Sequence, residues 1–343
     1  MVQNTAKLGG SASGITVGRV AHGIMMMTLR DPTTPLSDEE AFEAIKAGVD
    51  ALPPGTKAFL NSGEFYGPNL STANLELLAR FYEKYPDYAD KTFISVKGGN
   101  KPGTFHVDSS PENIRRSVDT INNALRGTKK LDLFQSARVD PNIPIEDTIK
   151  VLAELVKEGK FNHIGISECK AETLRRAHAV HPIAVAEIEV SLWSYEEETK
   201  KVIAMAQELG IAIAAYSPLG RGLLTGSIRS SNDLPAHDIR RMFTRFQEEN
   251  IKHNLTILEA VEAVAVKKQV TPAQLAIAWV ASLGPHVIPL PGSSTKKRTL
   301  ENLSAGEIVL TDTEKAEIGK ILTDYEVKGD RYFGDDAMAY VWG

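Results

Sequence analysis

The chain has 343 residues, 42% of them hydrophobic and 24% charged, with a formal net charge of -5. That composition belongs to a globular protein and excludes a disordered or fibrous one, while the acidic balance argues against an electrostatic grip on nucleic acid or anionic lipid. A single cysteine, Cys169, excludes an internal disulfide framework and suits a reducing compartment, so a cytoplasmic location is expected.

The run Ile24-Met25-Met26-Met27 is too short and begins too late for a signal peptide, and no apolar stretch has the length of a membrane span. From there the chain alternates apolar runs with amphipathic segments. Strands are expected at 23–28, 58–61, 92–97, 131–135, 162–166, 183–188, 211–215 and 286–290. Their near-continuous apolar character fits parallel strands buried on both faces. Ser37-Asp38-Glu39-Glu40 and Thr311-Asp312-Thr313-Glu314 read as capping boxes that open helices. Ser110-Pro111 and Thr271-Pro272 each place a proline just after an N-cap.

Eight strands alternating with helices predict a single-domain (β/α)8 barrel, the TIM-barrel class, with an open doubly wound sheet as the competitor. The open sheet would carry G-x-G-x-x-G directly after a strand. The glycines of Gly9-Gly10-Ser11-Ala12-Ser13-Gly14 have the wrong spacing and precede the first strand, so the barrel is preferred. Residues 218–271 are too long for one loop and helix and are expected to form an inserted lid. The tail, 325–343, carries Tyr325, Tyr332, Phe333, Tyr340 and Trp342, and either crosses a barrel mouth or covers a helix.

In such a barrel the chemistry sits at the C-terminal ends of the strands. Those ends carry Asn61 with Tyr66 in the following loop, then Lys97, Ser136-Ala137-Arg138, Ser167-Glu168, Glu187, and Tyr216-Ser217-Pro218-Leu219-Gly220. Any one polar residue there is unremarked, but the set suggests a ligand with several polar handles. A free tyrosine, with a pKa of about 10, is too weak an acid at neutral pH. A neighbouring ammonium lowers that value by about 1–3 pH units, so Tyr66 beside Lys97 forms a candidate proton donor to a carbonyl. The competing reading makes Tyr66 a packing residue and Lys97 a solvated strand end. After the last strand, Gly292-Ser293-Ser294-Thr295 opens a helix whose free N–H groups, with Lys296, Lys297 and Arg298, suit a phosphate. The eight histidines form no H-x-H or H-E-x-x-H pattern, so no metal site is expected, and no G-x-S-x-G elbow is present.

Taken in order, Asn61…Glu64-Phe65-Tyr66-Gly67, Leu131-Asp132-Leu133-Phe134-Gln135…Arg138-Val139-Asp140, Gly165-Ile166-Ser167, Ser191-Leu192, Tyr216-Ser217-Pro218-Leu219-Gly220…Gly222 and Pro291-Gly292-Ser293…Glu301-Asn302 resemble the aldo-keto reductases over nearly the whole chain. The resemblance implies a barrel that binds NADPH without a dinucleotide fingerprint and passes a hydride to a small aldehyde or ketone. It makes Tyr66 the acid and Lys97 its partner. It places Phe65 and Ala137 against the substrate, and Ser167, Glu168 and Glu187 around the nicotinamide carboxamide. Tyr216 would stack on the nicotinamide, with Ser217, Pro218, Leu219 and Gly222 along the pyrophosphate. Gly292, Ser293, Ser294, Thr295 and Arg298 would meet the 2′-phosphate side, and Glu301 and Asn302 the adenine.

Two positions depart from the family pattern: Asn61 stands where aspartate is usual and Ala137 where histidine is usual. Either the protein only binds cofactor, as a regulatory subunit with little turnover, or it belongs to a branch that works without them. The fungal pyridoxal reductases resemble such a branch, sharing a similar Asn-x-Gly-Glu-Phe-Tyr-Gly and Ala-Arg-Val-Asp, which implies NADPH-dependent reduction of pyridoxal to pyridoxine. Another bulky carbonyl of secondary metabolism is the alternative substrate. Two further positions depart, Glu168 and Glu187, which match the asparagine and glutamine that with serine usually hold the carboxamide in this family; they would accept from the carboxamide NH2 and stabilise the ring as it becomes cationic, unless one of them turns away to pair with a lysine or arginine. A monomer or weak homo-oligomer is expected.

Overall fold

The computed structural model describes residues 2–235, 238–332 and 342–343. The chain begins with an antiparallel hairpin, β1 (Thr5–Lys7) and β2 (Thr16–Gly18). This hairpin closes the floor of the barrel. Gly9 N–H donates to Ala184 O at 3.1 Å and Gly10 N–H to Gly210 O at 3.0 Å. Gly10 sits at φ +46, and a Cβ there would stand 2.2 Å from Ile183 O. The glycines that lack a phosphate-binding spacing are therefore required for close approach of two backbones.

Eight parallel strands follow: β3 (His22–Gly23), β4 (Ala58–Gly63), β5 (Thr92–Gly98), β6 (Leu133–Ser136), β7 (His163–Ser167), β8 (Ile183–Glu189), β9 (Ala212–Tyr216) and β10 (Val287–Leu290). Each pairs with its sequence neighbour. The ring closes where Gly23 bridges Gly292, with Gly23 N–H donating to Pro291 O at 2.9 Å and Ser293 N–H to Gly23 O at 3.2 Å. The result is the expected (β/α)8 barrel in a single domain. One strand differs from expectation. The run 23–28 extends only as His22–Gly23, and Met25–Met27 coil into a 3-10 turn in which only Met27 is buried. Ile24, at φ -109 and ψ 7, turns the chain out of the extended conformation once Gly23 has used its pairing on both sides.

The helices are α1 (Asp38–Asp50), α2 (Ala73–Lys84), α3 (Pro111–Leu125), α4 (Ile145–Lys157), α5 (Ala171–Val180), α6 (Glu197–Leu209), α7 (Glu248–Lys268), α8 (Pro272–Ser282), α9 (Lys296–Ser304) and α10 (Asp312–Asp324). The capping signals act where the sequence puts them. Ser37 and Glu40 form the box of α1, Thr311 and Glu314 that of α10, and Ser110 accepts from Asn113 N–H at the start of α3. The buried face of α3, Ile114, Val118, Ile121 and Leu125, has helical spacing, and burial of each such side chain contributes about 1.5–3 kcal/mol. These faces form one apolar layer between helices and sheet; a second, with Phe59, Phe93, Leu133, Val185 and Ile288, fills the barrel interior above the hairpin.

Between β9 and α8, residues 218–271 hold four short 3-10 turns before the 21-residue α7, with residues 236–237 outside the described set. The tail crosses the barrel mouth as far as it is described. Arg331 and Tyr332 lie over the ends of β6 to β9, while Phe333 and Tyr340 lie outside the described residues. Among the described residues, no helix is long and apolar enough to cross a membrane.

Candidate active site

The C-terminal end of β4 turns through Gly63-Glu64-Phe65-Tyr66-Gly67, and each residue of this turn has a local reason. A Cβ on Gly63 would touch the Tyr66 ring at 3.0 Å, and one on Gly67 would stand 2.4 Å from Ser71 Oγ. The flanking glycines thus let the tyrosine fold back against the strand. Glu64 anchors the turn: its carboxylate accepts from Arg116 Nη1 at 2.5 Å and from Ser117 Oγ at 2.6 Å. Thr28 Oγ1 donates to Tyr66 O at 2.6 Å. Buried Asn74 accepts from Ser62 Oγ at 2.6 Å and donates to Ile24 O at 2.9 Å, tying β4 to the loop after β3.

Tyr66 faces Lys97, from β5. Lys97 Nζ lies 5.4 Å from the tyrosine ring centroid, close enough for its charge to act on the phenol. Burial pushes the Tyr66 pKa up, and Lys97 offsets only part of that rise. The phenol is therefore protonated across the neutral range. Burial works against the charge of Lys97, but Glu187 and Tyr66 together outweigh it, so the lysine pKa is raised and the ammonium is secure.

The ammonium is held from two sides. Lys97 Nζ donates to Asn61 Oδ1 at 2.9 Å and to Glu187 Oε1 at 2.5 Å. Glu187 Oε2 in turn accepts from Asn61 Nδ2 at 2.6 Å and from Gln135 Nε2 at 2.5 Å. Gln135 also donates to Ser95 Oγ at 3.1 Å. Gln135 reaches Glu187 across β7 at Gly165, where a Cβ would stand 3.1 Å from Gln135 Cβ. Glu187, expected to face a carboxamide, thus has both oxygens engaged within the chain. Sequence reasoning gave Gln135 no role, although its place at the end of the 131–135 run was a signal.

Glu168 follows β7 in the left-handed region, at φ 52, and Ser217 follows β9 at φ 53. Such conformations cost about 1–3 kcal/mol each and gather at functional sites. Glu168 Oε1 accepts from Arg331 Nη2 at 2.8 Å and from Glu189 N–H at 3.1 Å. Glu189 Oε2 accepts from Arg331 Nε and Arg221 Nη2, both at 3.1 Å. Burial would raise the Glu189 pKa, but Arg221, Arg331 and Arg245 outweigh it and hold it below the usual carboxylate range. Tyr216 Oη and Tyr332 Oη share a hydrogen bond of 2.6 Å, and Arg138 Nη2 donates to Tyr332 Oη at 3.1 Å. Arg331 left no mark in the pattern of strand ends, because the tail carries no periodicity to place it, and Glu189 lies one residue past the expected strand 183–188 at the end of β8.

Two parts of the site are open toward a ligand. Ser167 Oγ and Glu168 Oε2 are buried and have no partner among the described residues. A carboxamide would satisfy both, its oxygen accepting from the serine and its NH2 donating to the carboxylate. At the other end, α9 opens at Thr295, with Lys297 and Arg298 exposed in its first turn and Lys296 3.2 Å from Glu43. These residues fit a nicotinamide dinucleotide at both of its ends. Other expected contacts are engaged within the chain. Ser293 Oγ bonds His22 Nε2 at 2.9 Å and Thr299 Oγ1 at 2.8 Å, and Glu301 Oε1 accepts from Thr271 Oγ1 at 3.1 Å. Burial pushes the His22 pKa down to about 4, so it serves this loop as a neutral ring. Pro218 is buried, while Ser217, Leu219 and Gly222 are half-buried, and Asn302 is buried beside His22.

Above Tyr66 the walls are apolar. Phe65 packs edge-on against Tyr66 at 5.4 Å and against the exposed Phe105 at 6.2 Å. Ala137 is buried, its N–H donating to Gly98 O at 2.8 Å, and it places no donor near the phenol.

Residues 20–323 match the model of the Aldo/keto reductase family. A protein of Schizosaccharomyces pombe named "Probable pyridoxal reductase 2" is 40% identical over 325 residues, 93% of this chain and 96% of that protein. "Aldo-keto reductase str7" of Strobilurus tenacellus is 38% identical over 86% of this chain and 84% of its own length. The structure of a glycerol dehydrogenase from Gluconobacter oxydans superimposes with a TM-score of 0.77 over 97% of this chain and all of that one, at 24% identity, a likeness of fold.

Proposed function

We propose that this chain, which belongs to the aldo/keto reductase family and is an oxidoreductase of carbonyl and alcohol groups, reduces pyridoxal to pyridoxine with NADPH. The observation that carries the reading is the Tyr66–Lys97 contact, a protonated phenol held beside a secure ammonium at the mouth of the barrel. The nicotinamide cofactor on which this family relies supplies a hydride to the carbonyl carbon when bound. Ser167 and Glu168 would hold its carboxamide, and Lys297 and Arg298 the 2′-phosphate that distinguishes NADPH from NADH.

The remaining chemistry belongs to the chain. Tyr66 Oη donates a hydrogen bond to the carbonyl oxygen and transfers its proton as the alkoxide forms. Lys97 stabilises the phenolate left behind, which desolvation alone would disfavour. Ala137 leaves room for a substituted ring, and the hydroxyl of pyridoxal beside its aldehyde donates to the same carbonyl oxygen, a bond that a histidine at 137 would otherwise make. Phe65 and Phe105 offer aromatic edges to a planar substrate. The buried thiol of Cys169, its pKa pushed up by burial, suits the cytoplasm that we propose as the site of action.

The test is NADPH oxidation in the presence of pyridoxal, with Tyr66→Phe alongside. The reading expects turnover that falls by about 10²–10⁴-fold in the variant. Equal rates in the two proteins would remove Tyr66 from the mechanism.

A further inference from the structure

We propose that Glu187 is the positioning acid of this site, supplying from β8, across the barrel, the negative charge that a carboxylate at position 61 would supply from β4. The inference rests on the reductase reading for its consequence in turnover, but not for its geometry. Lys97 and Glu187 have side chains only 8% and 3% exposed, with 2.5 Å between Nζ and Oε1. An ammonium so far from water needs a carboxylate, and the loss of either partner leaves an uncompensated buried charge.

Asn61 completes the arrangement through both ends of its amide. Its Oδ1 accepts from Lys97 at 2.9 Å while its Nδ2 donates to Glu187 Oε2 at 2.6 Å. A carboxylate at 61 could do the first but not the second, and would face Glu187 at that same 2.6 Å as like charge against like. A carboxylate at 61 and one at 187 therefore exclude each other. The amide at 61 on β4 and the acid at 187 on β8 form one arrangement that keeps a single negative charge against Lys97. Gln135 gives Glu187 Oε2 its second donor at 2.5 Å and helps hold its rotamer. Besides Tyr66, Lys97 and Glu187, the charged group acting on the pair is Arg138, whose positive charge also favours the phenolate.

The test is a charge-swap cycle on the full chain: wild type, Glu187→Gln, Asn61→Asp, and the double variant Asn61→Asp/Glu187→Gln. Two quantities are read. One is the titration of Lys97 by NMR of labelled lysine side chains, its resonance marked by Lys97→Met. The other is the pH profile of kcat/KM for pyridoxal. In Glu187→Gln the Lys97 ammonium should lose its proton about 1–3 pH units earlier. The kcat/KM should fall by about 10²-fold, with a limb that declines as pH rises. Asn61→Asp alone should also lose activity, because it replaces the 2.6 Å bond from Asn61 Nδ2 to Glu187 Oε2 with two crowded carboxylates that displace Glu187 from Lys97. The double variant should return both the Lys97 titration and most of the turnover. If Glu187→Gln leaves both where they are in the wild type, or if the double variant is folded but no better than the worse single, the proposal is overturned. If Glu187→Gln does not fold, the comparison of Asn61→Asp with the double variant decides on the same terms. A wild type that reduces no carbonyl would defeat the reductase reading, and the Lys97 titration would still decide whether Glu187 is its counter-charge.

Discussion

Replacement of Arg331 by methionine isolates the strap that the tail lays across the barrel mouth. Arg331 is 3% exposed and links Glu168 at 2.8 Å to Glu189 at 3.1 Å, carboxylates that are themselves 0% and 2% exposed. Methionine keeps much of the apolar stem and removes only the charged head. Glu189 keeps Arg221 at 3.1 Å but loses the second of its arginine partners, and Glu168 is left buried without its cation. Breaking a buried pair on one side costs about 3 kcal/mol at the lower end of the usual range, which at about 2 °C per kcal/mol for a chain of this size lowers Tm by about 6 °C. The sign of the pH dependence follows from Glu189, whose folded pKa is held down by arginines. Its stabilisation is present above the unfolded carboxylate value, about 4.3, and disappears as pH falls through the folded one. The gap between variant and wild type should therefore be widest at neutral pH and narrow toward acid. Calorimetric melts at a series of pH values test this. A variant that melts with the wild type at neutral pH, or a gap that widens on acidification, refutes the strap.

Gly10→Ala should cost about 2–4 kcal/mol in urea unfolding, because the new Cβ would meet Ile183 O at 2.2 Å in a left-handed backbone; a stability equal to wild type would mean the hairpin does not seal the floor. Arg298→Ala should raise the KM for NADPH by about 10–100-fold through loss of a charge-assisted bond and leave the KM for NADH in place; equal effects on both would remove Arg298 from the 2′-phosphate. Ala137→His should lower kcat/KM for pyridoxal by crowding its ring hydroxyl, measured beside a simple aldehyde that has none; an increase with pyridoxal would defeat the idea that the substrate supplies that donor.

The strands were legible because parallel strands covered on both faces read as apolar runs, and the helix starts because caps are local. Ser37 with Glu40 and Thr311 with Glu314 need only four residues of sequence to specify. The first strand misleads for the same reason: Met25-Met26-Met27 has the apolarity of a strand, yet pairing stops at Gly23 and Met25 and Met26 are 36% and 44% exposed. Tyr66, Lys97 and Asn61 could be gathered from strand ends alone. The place of Glu187 could not, because it meets Lys97 across 90 positions of sequence and only the curvature of the barrel brings β8 opposite β4 and β5. Arg331 was hidden more deeply, since it lies in a tail without period and its partners Glu168 and Glu189 are fixed by two different strands.

The most direct measurement follows a label into the product. NADPH carrying deuterium at the reduced nicotinamide carbon is mixed with pyridoxal and the wild-type protein, and the product is analysed by mass spectrometry. Reduction through Tyr66 and Lys97 predicts pyridoxine with one deuterium on the new hydroxymethyl carbon, in step with NADPH consumed, and almost none with Tyr66→Phe. Unchanged pyridoxal in the presence of tightly bound NADPH would contradict the account.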